Sequence, residues 1–265
     1  MATTSVDNDD DRRHDQERHL RCFREWTALQ QDDLAELLDS LALDNDNHPQ
    51  SLHERLIEKN IRHFREYMEN RLRLAKDDVS AFFAPAWCAS LENSMMWIAG
   101  CRPSLFIRLV YVLCGSEVNE NLSAFLEGGE GIGVLGNLAD LSSRQLSGIN
   151  QLQANTIKEE EKLSNKLASL QEEMADHPIA TIARRTTQIA DSNGEVEHAL
   201  DKHEKLMLRI MEVADKLRMD TLKEMIEILT PAQAVEFIAA GKKLHLCVHE
   251  WAKRRDHRHG RNSGE

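Results

Sequence analysis

Proline and glycine are scarce in this chain: five and twelve among 265 residues. So few helix breakers argue against a loop-rich fold and leave room for long helices. Cysteine offers no framework either. Cys22, Cys88, Cys101, Cys114 and Cys247 are an odd set without C-x-x-C spacing, and they read as reduced thiols of a nuclear or cytosolic protein. No apolar run is long enough to span a bilayer. SLFIRLVYVLC (104–114) comes nearest, and it is short and carries Arg108. Residues 1–19 are mostly polar, so no secretory signal is expected. A cationic excess is missing as well. The formal net charge is −12, and direct DNA binding is not expected of so acidic a chain.

What is present is a helix-forming composition with 41% hydrophobic residues, enough for a sizeable core. Residues 1–18 read as a disordered acidic tail, 19–255 as one helical domain, and 256–265 as a basic polar tail. Helical spacing starts near His19 with Leu20, Phe23, Trp26 and Leu29 and runs to Leu41. Ser51 is expected to cap the next helix, with Glu54 closing a capping box. SLENSMMW and SLFIRLVYVLC, joined by Gly-Cys-Arg-Pro, predict a short, very apolar helical pair at the buried centre. Residues 140–174 predict one long helix whose inner stripe is Leu146, Ile149, Leu152, Ile157, Leu163, Leu167, Leu170 and Met174. Another is marked by Leu206, Ile210, Val213, Leu217, Leu222 and Met225. Thr230 as N-cap and Pro231 at the first turn open the last helix. No alternating β pattern of useful length occurs. The expected fold is all-α, a bundle of long antiparallel helices around the short apolar pair.

No catalytic constellation stands out. There is no H-E-x-x-H, Walker loop or nucleophile elbow. GIGVLG (131–136) fits a dinucleotide fingerprint in letters only, because neither flank reads as a strand. Glu159, Glu160 and Glu161 read as a solvated face, with Lys158–Glu161 and Glu159–Lys162 as local pairs. The chain is therefore not expected to be an enzyme. The basic run KRRDHRHGR (253–261) fits an import signal, a phosphate patch or a solubilising tail.

Two stretches carry more specific readings. In RCFREW (21–26), Phe23 and Trp26 share a helical face; core packing weighs more than an aromatic anchor for a partner. In GKKLHLCVHEW (241–251), the expected core stripe is Phe237, Gly241, Leu244, Val248 and Trp251, with His245 and His249 one turn apart on the adjoining face. Cys247 points elsewhere and no third zinc ligand is visible. Two histidines on one helix cannot clamp a haem from opposite sides, so spacing alone favours a helix edge without a ligand.

WIAGCRPSLFIRLVYVLCGS (97–116), LSSRQLSGINQLQ (141–153), EEEKLSNKLASLQEEMADHPIATIA (159–183), ALDKHEKLM (199–207) and LTPAQAVEFIAAGKKLHLCVHEW (229–251) resemble, in this order, the plant delay-of-germination family. TGA transcription factors carry the same domain behind a basic zipper, which is absent here. The resemblance implies a regulator that promotes seed dormancy by binding and restraining type-2C protein phosphatases of abscisic acid signalling. It also implies haem binding and self-association. The family's phosphatase motif ends in an aromatic, any residue, Glu and Trp, which falls on Phe23, Glu25 and Trp26. Arg21 and Cys22 stand where that motif has acidic and serine residues. The family's haem histidines fall on His245 and His249. The alternative carried by the resemblance is a transcriptional cofactor related to the TGA domain.

Overall fold

The computed structural model describes residues 4–42, 50–115, 137–185 and 194–261, with side chains in the first helix from residue 16 onward. The α-helices are α1 (Thr4–Ala42), α2 (Gln50–Ala75), α3 (Ser80–Phe83), α4 (Ser90–Ser94), α5 (Ser104–Cys114), α6 (Ser143–Glu172), α7 (Ile179–Arg185), α8 (Gly194–Ile228) and α9 (Pro231–Arg258). Short 3-10 turns at Asn137–Asp140 and Glu173–Ala175 complete the described elements. Among the described residues no strand forms, as expected of an all-α chain. GIGVLG (131–136) lies outside them.

Two antiparallel layers make up the bundle. In the first, α1 runs against both α2 and α9; Trp26 meets Tyr67 of α2, and Phe23 meets His249 of α9. In the second, α6 runs against α8, with Thr156 beside Thr221 and Gln145 reaching Ile228. The paired helices run in opposite chain directions, as in an antiparallel helical bundle. α5 fills the middle, burying Ile107, Val110 and Leu113 against Leu37, Leu56, Ile149, Met225 and Phe237.

Two of the long helices open on closed capping boxes, one of them at the expected Thr230–Pro231 start. Ser142 accepts the Gln145 N–H and Gln145 returns its side-chain oxygen to the Ser142 N–H, a closed capping box. Thr230 and Gln233 repeat it ahead of Pro231. Gln145 then donates to the Ile228 carbonyl at 3.1 Å and to Gln233 at 2.7 Å, tying three helix ends together. The box expected at Ser51 does not form. α2 begins at Gln50, whose amide donates to Glu54 at 2.8 Å.

The apolar pair is half right. α5 is buried, but α4 buries none of its residues and sits at the side of the bundle against α9. The α6 stripe also departs from the apolar pattern: Ile157 and Met174 are exposed, while Thr156 and Glu160 face inward. Glu160 is fully buried because it has work at the start of α5. Its carboxylate accepts the Ser104 N–H at 2.6 Å and pairs with Arg102 at 2.7 Å. A carboxylate at a helix N-terminus meets unsatisfied N–H groups and the positive end of the helix dipole. In α8 the apolar Val213 faces solvent, while Asp215 and Arg218 lie inside.

Arg218 and Arg71 together hold the turn between α4 and α5. Ile98 and Ala99 adopt left-handed φ values of 43° and 57°, a conformation that costs non-glycine residues roughly 1–3 kcal/mol each. Arg218 donates to the carbonyls of Trp97 (2.6 Å), Ile98 (2.8 Å) and Cys101 (2.7 Å), and to Asp215 at 2.5 Å. Arg71 donates to the Ala99 carbonyl and lies 3.4 Å from Asp215. A Cβ on Gly100 would sit 3.0 Å from the Arg218 guanidinium carbon, so glycine leaves the room this clamp needs.

Candidate partner- and ligand-binding site

The two stretches singled out in the sequence meet in space. α1 lies along α9 with His19, Phe23 and Trp26 on its inner face. The Phe23 ring sits edge-on to His249 with centroids 5.4 Å apart. Trp26 stacks on Tyr67 at 4.3 Å and 8°, and Lys242 places its ammonium 5.6 Å from the Trp26 ring. His19 packs between Phe82 and Trp87. Phe23 and Trp26 are each only 9% exposed, whereas Arg24 and Glu25 face solvent. The aromatic half of the segment is thus core and the charged half is surface, in accord with the core reading of the residues alone.

α9 corrects the expected stripe. Phe237 is buried, but Leu244 is 38% and Trp251 54% exposed. The inner face instead carries Ala234, Ile238, Lys242, His249, Ala252 and Asp256. Small residues let α1 and α2 come close, and each inward polar group has a partner. A reading that places the largest apolar residues inside misses such a face.

Lys242 lies 3.0 Å from Asp33 Oδ2, and His63 Nδ1 lies 3.0 Å from both Asp33 oxygens. Burial pushes the Asp33 carboxyl up, but the His63 hydrogen bond and Lys242 outweigh it and hold it below its ordinary value. Burial pulls the Lys242 ammonium down, opposed by Asp33. The carboxylate, held low, opposes the loss of the Lys242 proton that burial favours.

His249 presents Nδ1 to Glu92 Oε1 at 2.9 Å. Glu92 also accepts the Ala89 N–H at 3.0 Å through its other oxygen. Burial raises the Glu92 carboxyl, yet the His249 hydrogen bond, the Ala89 N–H and the field of His245 bring it below the ordinary range. Burial is the main reason the half-buried His245 is pushed below its usual value; nearby His249 and Lys242 add to it, while Glu92 opposes. His245 is therefore neutral at pH 7 and keeps the lone pair a metal ligand needs.

This donor set fits an imidazole-ligated iron. A carboxylate on Nδ1 fixes the ring and leaves Nε2 as the ligating atom, the usual support for a metal-bound histidine. Among the described residues, His, Cys, Asp and Glu form no group of three that would hold a bare metal ion. Phe23 covers His249 in this arrangement. Glu92, Asp33 and Lys242 escaped the sequence reading. Glu92 lies on a one-turn helix without periodicity, and the other two look like ordinary charges of an amphipathic surface.

Stability should fall in two steps as pH is lowered. The folded-state value of His245 lies below its unfolded value of about 6.5. The unfolded chain therefore binds its proton first, and stability present above pH ~6.5 is lost as pH falls toward the folded value. Asp33 and Glu92, also held low, contribute stability present above their unfolded values near 4 and lost below them. Urea midpoints measured from pH 7.5 to 3.5 should show both steps, and His245→Gln should remove only the upper one.

Known proteins are similar to this chain in sequence. The family model described as DOG1, seed dormancy control, matches residues 33–112. Protein DOG1-like 3 of Arabidopsis thaliana is 41% identical over 89% of this chain and 84% of its own length. The chain belongs to the DOG1 family. DOG1-like 1 of the same plant is also 41% identical, over 92% of both chains. Similarity to the TGA transcription factors is weaker: Arabidopsis TGA2 is 27% identical over 72% of this chain and 49% of its own length. The DOG1-like proteins are named as such and not as enzymes. Among the described residues no helix is long and apolar enough to cross a membrane.

Proposed function

We propose that this DOG1-family chain is a non-enzymatic regulator of seed dormancy and abscisic acid signalling that binds and restrains type-2C protein phosphatases, acts in the nucleus, and binds haem. The observation that carries the reading is the register of Phe23, Glu25 and Trp26 on α1. Glu25 and Arg24 face outward and are open to a partner. Phe23 and Trp26 rest on α9, so their direct use by a phosphatase requires α1 to lift from α9. Glu25→Lys reverses an exposed charge without touching the core. It should weaken capture of a purified type-2C phosphatase at least about tenfold, the scale of one charge-assisted hydrogen bond, with an unchanged urea midpoint. Equal capture by both proteins removes Glu25 from the contact.

His245 and His249 are the residues that would hold haem. When bound, haem supplies an iron whose ligation responds to redox state and small ligands. Glu92 orients His249 and keeps Nε2 available. The chemistry of this set supports haem over a zinc site. Glu92→Gln should weaken haem binding about 10–100-fold, as for other outer partners of metal-ligating histidines, read as the haem concentration that half-saturates the Soret band. Unchanged titration would separate Glu92 from the ligand site. Loss of the band in His245→Ala/His249→Ala with full retention in Glu92→Gln would leave the histidines as ligands and Glu92 as structural.

Self-association belongs to the same reading. Leu105 and Val112 of α5 and Leu244 and Trp251 of α9 are exposed apolar residues on two helices that pack together. A second reading, a transcriptional cofactor, is favoured by the similarity to TGA2 and by the cationic end of α9, where Lys253, Arg254, Arg255 and Arg258 are exposed. Capture from seed extract separates the two: phosphatase recovered favours the first, a DNA-bound partner recovered without phosphatase favours the second.

A further inference from the structure

In a chain of net charge −12, three arginines line one cleft between α1 and α2. The cleft has a volume of about 270 Å³, with Arg18, Arg21, Cys22 and Glu25 on one wall and Asn70 and Arg73 on the other. We propose that this cleft binds a phosphate monoester dianion of the kind a phosphoserine carries. The inference does not rest on the phosphatase or haem readings.

Charge is the first argument. Arg21 and Arg73 face the single carboxylate Glu25, and Arg18 is paired with Asp77, so this set carries one positive charge in excess. Such a cationic lining attracts a phosphate ester, which carries about −1.5 to −2 at neutral pH. Asp77 pairs with Arg18 at 3.1 Å, while Arg21 and Arg73 have no carboxylate partner among the described residues. Preorganisation is the second. Asp77 holds Arg18, and Arg73 donates to Asn70 Oδ1 at 2.6 Å, so two of the three forks are already positioned and the Asn70 amide nitrogen stands beside them as a further donor. Arginine forks match the oxygen geometry of phosphate. The third is the neutrality of the cleft wall. Burial pushes the Cys22 thiol up against the pull of Arg71 and Arg73, so it adds no negative charge.

Shape and surroundings favour a protein-borne phosphate over a lipid headgroup. The site is a groove between two helices, and the large exposed apolar residues that would enter a membrane, such as Leu105, Val112 and Trp251, lie on α5 and α9 instead. The overall negative charge disfavours nucleic acid.

The test is a titration of the full chain followed by amide NMR shifts, with capped phosphoserine, inorganic phosphate and capped serine as probes. Both phosphoryl probes should shift amides of residues 18–25 and 70–74, and capped serine should not. Tighter binding of capped phosphoserine assigns the ester as the natural group; tighter binding of inorganic phosphate assigns the free ion with the same chemistry. Arg21→Gln/Arg73→Gln should weaken both about 100-fold, roughly tenfold for each charged hydrogen-bond donor lost. Both side chains are exposed, and an unchanged circular dichroism spectrum and urea midpoint check the fold. Arg21→Gln alone, which leaves the Arg73–Asn70 bond in place, should lose about tenfold. The proposal is overturned if these amides do not shift, if both variants bind like wild type, or if only vesicles containing phosphatidylinositol phosphate bind.

Discussion

Arg218→Met is expected to destabilise the fold by about 3–5 kcal/mol, the scale for breaking a buried ion pair from one side. Arg218 is fully buried. Its loss leaves Asp215 with only the more distant Arg71 at 3.4 Å, and three carbonyls of the 97–101 turn lose their donor. The left-handed Ile98 and Ala99 then keep only the Arg71 bond to the Ala99 carbonyl and the backbone bonds between Trp97 and Gly100. With total stabilities of about 5–15 kcal/mol for ordinary domains, this one change consumes a large share. Arg218→Lys should fail almost as badly, because one ammonium cannot reach three carbonyls and a carboxylate as a planar fork does. Urea midpoints of both variants decide the matter. Full stability of Arg218→Lys would show that charge alone is needed there.

Trp26→Ala is the second large expectation. The ring is buried, stacked on Tyr67 and covered by Lys242. Truncating a core tryptophan costs about 3–5 kcal/mol. The Lys242–Asp33 pair beneath it would also gain access to water. Loss of phosphatase capture by Trp26→Ala therefore has two causes that circular dichroism at room temperature does not separate. Trp26→Phe retains a flat ring against Tyr67 and should recover most of the stability. If Trp26 is a partner contact, Trp26→Phe should remain weak in capture although stable. Full capture by Trp26→Phe would make the residue a core group.

Periodicity and capping made most of the architecture legible in the sequence. The Thr230–Pro231 start, the long α6 helix, the break at Gly100–Pro103 and the burial of α5 all follow from local rules. What periodicity could not show is polarity turned inward. Glu160, Asp215, Arg218, Lys242 and Asp256 are charged residues on inner faces, each with a partner far away in the chain. No local pattern separates them from solvated charges. The same blindness sent Leu244 and Trp251 to the core on paper. The candidate site was half legible. Phe23, Trp26, His245 and His249 stood out by residue type, but their meeting across α1 and α9 and the role of Glu92 needed the tertiary arrangement.

That meeting puts the central claim, phosphatase binding through α1, within reach of one measurement. Hydrogen exchange of the full chain is followed with and without a saturating purified type-2C phosphatase. The account expects altered exchange at the amides around Phe23, Glu25 and Trp26, together with faster exchange in the facing stretch of α9 as α1 lifts. Saturated binding with unchanged exchange in both segments would contradict it.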